Sequence, residues 1–529
     1  MENSKKKTQF IVMAMVVLIV LTRALTISHN MELHADEHVF YTAAQSLKGY
    51  LSGSSPIYEE VKEYPEGAIV MQLPFHIITA VINRLFNCSI TPRLSGRIAA
   101  VFYFTAGAVL GCLVLNRFFT QKRLHLALYG IIMVFSLWHI QQSRYGTADA
   151  ITLFLLMAVI LFAGQSLISK DSCKWLFAAF FAAGMLGACK YPLSFFAIIP
   201  VYAAVIISGK LSPGKRVLVI GASFVFLYLG FAVISPKAAL DPLYIWRAST
   251  REVDSYMSSN GDSLISTVWS HFMSVTMYSM LYSGFPFAPV FFIIGVKNLR
   301  NSSEDATPAH TLFSRVIPSV IVVFFAYNLF VSLLFFRTYY PFFFLTDLYV
   351  VMAIGRWIED GRAKKAMAVL LTAVMIIRGA YFICLLSDKD DKIHMAQLIS
   401  ETVDDEWKAT TIISGFLVLP DDYTEYPNLK VINITDERLV NPQSNGLKKG
   451  ELLIAGASYY TDEYLYCDFL PSNYNDYGST LVWNNFAETN AQYYVGELYP
   501  NYIYYLFGYW MAGCDFNAEF PAFHVYYRG

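Results

Sequence analysis

Long apolar stretches alternate with short polar turns from residue 10 to residue 386, and beyond that point the chain breaks into short alternating runs between polar clusters. A hydrocarbon core about 30 Å thick takes ~20 apolar residues per crossing helix. Spans are therefore predicted at 10–27, 98–118, 126–141, 150–167, 176–188, 193–207, 217–234, 285–296, 316–336, 342–357 and 366–386, eleven in all. The pair flanking Cys189-Lys190-Tyr191-Pro192 is read as two spans, with one longer helix as the open alternative. Residues 64–86 carry Val70, Leu73, Ile77, Ile78, Val81 and Leu85 at near-helical spacing, with Pro74 near the start. That pattern predicts a helix lying along the membrane surface, because a crossing there would invert every later loop. In the polar C-terminal region, 410–418, 452–455 and 481–483 are strand-like and bounded by Pro, Asn, Asp and Gly clusters.

Composition agrees: 56% of residues are hydrophobic, 15% are charged, and mean hydropathy is +0.43, which excludes an ordinary soluble domain. A net charge of −1 gives no basic stripe for nucleic acid, so nucleic acid is excluded as a partner. Charge reports sidedness instead. Lys122, Arg123, Lys170, Lys174, Lys210, Lys215, Arg216, Lys297, Arg300, Arg356, Arg362, Lys364 and Lys365 all fall on one side of the predicted threading, the cytosolic one. Lys5-Lys6-Lys7 before the first apolar run, with no small-x-small cleavage site after it, predicts an uncleaved signal anchor. The opposite loops, 28–97 and 235–284, and the region 387–529 belong outside the cytosol. The expected architecture is thus an α-helical polytopic membrane domain over 1–386 followed by a small extracytoplasmic α/β domain over 387–529. The seven cysteines show no metal-ligand spacing, and Cys467 and Cys514 are free to pair or not in the outer region.

On this threading several ionisable groups collect at one face: Asp36 and Glu37 in the first outer loop, Arg144 and Asp149 at a later outer turn, Lys190 at the next, and Arg337 at the start of the tenth span. Carboxylates are costly beside lipid, so an adjacent pair held there has a task. A carboxylate can accept the proton of an attacking hydroxyl or orient a metal, and Arg or Lys can neutralise charge on a departing phosphate. Plainer readings stand beside this one. Arg93, Arg97, Arg144 and Arg378 can snorkel to headgroups, and Asp149 can pair with Arg144 at a helix start. His34, Asp36 and His38 have an i, i+2, i+4 spacing that a metal could use.

The acidic segment Asp36-Glu37-His38-Val39-Phe40-Tyr41, the Tyr64-Pro65 segment and Arg93-Leu94-Ser95-Gly96-Arg97 come first in a series of short motifs. Ser143-Arg144 with Asp149, Gly187-Ala188-Cys189-Lys190 and Arg337-Thr338-Tyr339-Tyr340-Pro341 follow. In this order and sidedness the chain resembles a GT-C superfamily glycosyltransferase of the protein O-mannosyltransferase and lipid A aminoarabinose transferase kind, over about residues 10–386. The resemblance implies a GT-C fold and an inverting hexosyltransferase that takes its sugar from a polyprenyl-phosphate donor in the bilayer and passes it to an extracytoplasmic acceptor: protein, lipid or cell-wall glycan. It implies Asp36 as the catalytic carboxylate, Glu37 and Asp149 as supporting acids, and Arg337, Lys190 and Arg144 toward the donor phosphate. His38, Tyr41, Tyr64, Tyr339 and Tyr340 would line the substrate. No cofactor is assigned, and a divalent cation stays open because some members use one. Glu66 departs from the pattern, standing where a second proline often follows Tyr-Pro. A transporter or flippase for a lipid-linked glycan is the alternative, but the polar groups sit at helix ends and the halves do not repeat.

Overall fold

A computed structural model describes residues 2–27, 40, 46, 66–241, 243–244, 247, 250, 264–281, 284–301, 307–330 and 336–387, with five strands between 411 and 528. The chain divides into two compact units, one of Met1–His29 and His34–Ile383, the other of Asn30–Leu33 and Cys384–Gly529.

The first unit is helical. Its elements are α1 (Glu2–Thr26), α2 (Glu66–Phe86), α3 (Pro92–Val114), α4 (Arg123–Phe135), α5 (Leu137–Gln142), α6 (Asp149–Ile168), α7 (Ser172–Cys189), α8 (Tyr191–Ile207), α9 (Pro213–Ile234) and the short α10 (Pro236–Leu240). After them come α11 (Leu264–Leu281), α12 (Ala288–Arg300), α13 (Pro308–Leu329), α14 (Phe336–Glu359) and α15 (Arg362–Ser387). Among the described residues nine helices are long and apolar enough to cross a membrane, and α4 and α8 are shorter apolar helices. The protein is a multi-pass membrane protein. Each predicted span contains a helix, that of 285–296 beginning at Ala288 and residues 331–335 lying outside the described ones, while α2, assigned to the surface by the charge rule, also has crossing length at 21 residues.

The helix starts are written locally. Thr91, Ser212 and Thr307 each precede a proline and accept a hydrogen bond from the backbone N–H three residues on, so the hydroxyl caps an orphan donor while proline supplies the first helical φ. Lys190 separates α7 from α8 in an extended conformation (φ −159°, ψ 100°), so the two-helix reading of that pair holds. The predicted span 126–141 is instead broken at Ser136, which ends α4 and begins α5.

Packing follows membrane rules, in which small residues let helix backbones approach. A Cβ on Gly184 of α7 would strike the Leu227 carbonyl of α9, and one on Gly230 of α9 would strike the Phe181 carbonyl of α7, so each glycine admits the other helix. Val217, Leu218, Phe224 and Val225 on α9 are exposed and form a lipid-facing stripe.

The second unit holds a five-stranded mixed sheet in the order β2-β1-β3-β5-β4, with β1 (Thr411–Gly415), β2 (Lys430–Asn433), β3 (Glu451–Gly456), β4 (Tyr493–Leu498) and β5 (Phe523–Arg528). β1 runs parallel to β2 and β3, pairing Ile412 with Val431 and Leu452; β5 runs antiparallel to β3 and β4. Two of the strand-like stretches coincide with β1 and β3, and 481–483 lies outside the described residues, as do Cys467 and Cys514.

Candidate functional site

The turn between α5 and α6 is held against two other helices before any charged group enters. Gln72 on α2 donates from Nε2 to the Gly146 carbonyl at 2.9 Å, which fixes the turn at its middle. A Cβ on Gly146 would lie 3.0 Å from the Gly96 carbonyl carbon, so the turn and the first turn of α3 meet backbone to backbone. Tyr103 on α3 donates to the Met71 carbonyl at 2.8 Å and Thr79 to Ser95 Oγ at 3.0 Å, tying α2 to α3 beneath the turn. The Ser95-Gly96-Arg97 and Gly146 motifs therefore form one joint.

That joint places Asp149 at the first position of α6, where the helix dipole favours a negative charge. Asp149 is buried. Thr147 Oγ1 donates to its Oδ2 at 3.0 Å, and Lys190 Nζ donates to its Oδ1 at 3.2 Å. The lysine arrives from the extended residue between α7 and α8, and its side chain keeps 17% exposure, so the ion pair has a wet edge. Asp149, read alternatively as a partner of Arg144, has an ion pair with Lys190. Arg144 is itself buried, lies over the Tyr145 ring with its guanidinium carbon 4.9 Å from the centroid, and donates to the Tyr145 hydroxyl at 3.2 Å. A carboxylate, an ammonium and a guanidinium thus gather at the ends of α5, α6 and α7, a set able to hold a phosphate and orient a hydroxyl.

A second polar group lies among the helices, and sequence reading passed over it. Arg23 of α1 is fully buried, donating from Nε to Ser143 Oγ at 2.6 Å and from Nη1 and Nη2 to the Val134 and Met133 carbonyls at 3.1 and 2.9 Å. Those carbonyls belong to the last turn of α4, which the break at Ser136 leaves without helical donors. His139 of α5 lies with Nε2 2.7 Å from Asp347 Oδ2 of α14, both buried. The signals were present as a charge inside an apolar run for Arg23 and Asp347, but nothing local tells a satisfied core charge from a reactive one.

Tyr339 and Tyr340, expected to line the substrate, are both buried. Tyr340 packs edge-on to Trp138 and His139 at 6.0 and 5.6 Å, and Tyr339 against Phe325 at 5.1 Å. Among the described residues their hydroxyls have no hydrogen-bond partner, and Asp149, Arg23 and Asp347 all lie within electrostatic reach of Tyr340. Arg337 occupies the second position of α14, one helical turn ahead of Tyr340. Glu66, the departure from the family pattern, is buried at the start of α2. Its Oε2 accepts from Ser235 Oγ at 3.0 Å and from the Lys237 backbone at 3.1 Å, while Lys237 Nζ stands 3.4 Å from Oε1 as an ion pair without hydrogen-bond geometry.

Asp36, Glu37, His38, Tyr41 and Tyr64 lie outside the described residues, as does His34. Among the described residues no group of three His, Cys, Asp or Glu side chains is arranged to hold a metal.

No protein-family model matches the sequence, and no curated protein matches it. Among solved structures the chain is similar to ArnT from Cupriavidus metallidurans bound to undecaprenyl phosphate, at 13% identity over 84% of this chain and 92% of that one, with a TM-score of 0.47. It is also similar to the oligosaccharyltransferase AglB from Archaeoglobus fulgidus in complex with an inhibitory peptide and a dolichol-phosphate, at 11% identity over 77% and 62% of the two chains, TM-score 0.45. A third likeness is to the S. cerevisiae protein O-mannosyltransferase Pmt1-Pmt2 complex bound to its sugar donor, at 18% identity over 43% and 33%, TM-score 0.34. At such identities and scores the likeness locates no residue and transfers no substrate.

Proposed function

We propose that this protein is an integral membrane glycosyltransferase that moves a sugar from a polyprenyl-phosphate donor to an acceptor outside the cytosol. The observation that carries the reading is the ion pair of buried Asp149 with partly exposed Lys190, together with buried Arg144, at helix ends that the charge rule places on the outer side. The cations are suited to a donor phosphate at the membrane interface, and the order of motifs in the sequence favours the same chemistry.

In this reading the acceptor hydroxyl attacks the anomeric carbon, and the bond from that carbon to the phosphate oxygen breaks with inversion. Asp36 takes the hydroxyl proton, with Glu37 supporting it, and the polyprenyl phosphate leaves with the bonding pair, its added charge met by Lys190, Arg144 and Arg337. Asp149 holds Lys190 in place for that task. The C-terminal region, as an outer α/β domain, would contribute to choice of acceptor.

The test is transfer of radiolabelled sugar from a panel of polyprenyl-phosphate sugars by the full-length protein in liposomes. Transfer or slow hydrolysis from one donor, abolished by Asp36→Asn in a protein that still folds, is expected. Turnover untouched by Asp36→Asn and by Asp149→Asn would remove the carboxylate mechanism. Flux of a lipid-linked glycan across the liposome without bond cleavage would establish the flippase reading instead. Repeating the assay in EDTA separates a metal-assisted displacement from a metal-free one.

A further inference from the structure

Between the helices α6, α7 and α9 lies an open groove of about 740 Å³. Its volume falls within the roughly 300–1,000 Å³ typical of sites for small ligands. Phe154, Phe162, Phe177, Phe181, Met185 and Phe226 form its walls, and Ala158, Ala178 and Ala182 leave its floor hollow. Phe177 and Phe226 stack at 4.4 Å with an interplanar angle of 11°, so one wall is a paired, rigid surface.

The lining is apolar with one exception, Lys174, at the end the charge rule places in the cytosol. Lys174 does not stand alone there. Lys170, Lys210, Lys215 and Arg216 belong to the same two loops, which touch where Lys210 Nζ donates to the Ser169 carbonyl at 2.8 Å. Arg216 donates to the Ser208 carbonyl at 2.8 Å, and Asp171 is the acid among them.

A trough walled largely by aromatic rings, with Lys174 at one end and further cations in the adjoining loops, has the polarity of an anionic lipid. We infer that this groove binds an anionic glycerophospholipid of the inner leaflet, one acyl chain lying along Phe162, Phe177, Phe181 and Phe226 and the phosphate held by Lys174. The charged end of the groove is distinct from the transfer chemistry, since Lys174 in the first turn of α7 lies at the opposite end of that helix from Lys190, while Phe154 and Met185 mark the end nearer Asp149.

Trp175 packs on Phe162 at 5.5 Å and reports on the groove. The full-length protein in phosphatidylcholine nanodiscs is titrated with bromine-chained phosphatidylglycerol or phosphatidylcholine, and Trp175 quenching is taken as the difference from Trp175→Phe. Phosphatidylglycerol is expected to quench at about fivefold lower mole fraction, the factor one lysine near an anionic headgroup supplies. Lys174→Glu should remove that preference, and Ala178→Phe, which fills the floor, should reduce quenching by both lipids. Melting curves of the two variants establish that they fold. Equal quenching by the two lipids in the unmutated protein, or a preference that survives both folded variants, overturns the inference. Displacement of the brominated lipid by undecaprenyl phosphate but not by unlabelled phosphatidylglycerol also overturns it, and would assign the groove to a polyprenyl chain.

Discussion

Among the described residues of the membrane unit, two acid–base pairs have opposite character. Asp149 and Lys190 meet at 3.2 Å at the ends of helices, with the lysine side chain 17% exposed; His139 and Asp347 meet at 2.7 Å between helices, with side chains 0% and 3% exposed. Around the second pair, Arg23 spends its donors on Ser143 and on two backbone carbonyls of a broken helix. The comparison teaches that burial of charge in a membrane helix does not by itself mark a reactive site. A charge whose partners are backbone groups left open by a helix break stabilises the fold, whereas a pair with a wet edge can exchange its partner for a substrate.

The sharpest way to break this contrast is Arg23→Ala, which strips the donors from the Met133 and Val134 carbonyls. A loss of about 3–5 kcal/mol is expected, read as a large fall in thermal midpoint in detergent and in the yield of folded protein. Asp149→Asn should do the reverse. Sugar transfer is expected to fall by roughly 10²- to 10⁴-fold, the usual range for disabling a group of the reacting site, with the melting curve nearly unchanged. If Asp149→Asn melts as low as Arg23→Ala, the two clusters are alike and both are structural.

Gly146→Ala sharpens the comparison by moving the site without altering its chemistry. The added Cβ would stand 3.0 Å from the Gly96 backbone and push the turn that precedes Asp149. Transfer should drop by about ten- to a hundredfold through misplacement, with a smaller effect on stability than Arg23→Ala. The smallest effect is expected from Asp347→Asn, which keeps an oxygen acceptor opposite His139 Nε2. It should cost about 1 kcal/mol in melting experiments and leave the KM for donor unchanged. A raised KM would connect the sealed pair to the donor site.

Much of the membrane unit was legible along the chain, because crossing a bilayer imposes a length and an apolarity that any window of sequence displays. The break at Lys190 was legible too, as a polar residue before Tyr191-Pro192. The break at Ser136 was not, since it interrupts an apolar run without proline or glycine and shows only as a serine that caps the next helix. Gly96 stood in the motif opening the second span, but its meeting with Gly146 at one joint needed the packing of α3 against the α5–α6 turn.

By itself, then, the sequence determined the run of membrane helices and the placing of Arg144, Asp149 and Lys190 at helix ends, because hydropathy acts residue by residue along the chain. Only the tertiary structure decided which charge meets which. Asp149 takes Lys190 from 41 residues away, and His139 takes Asp347 from 208 residues away. Arg23 reaches carbonyls 110 and 111 residues on, across the helix break they need it to cover. Such pairings depend on how helices lie against one another in three dimensions, and no local period in the sequence encodes that contact.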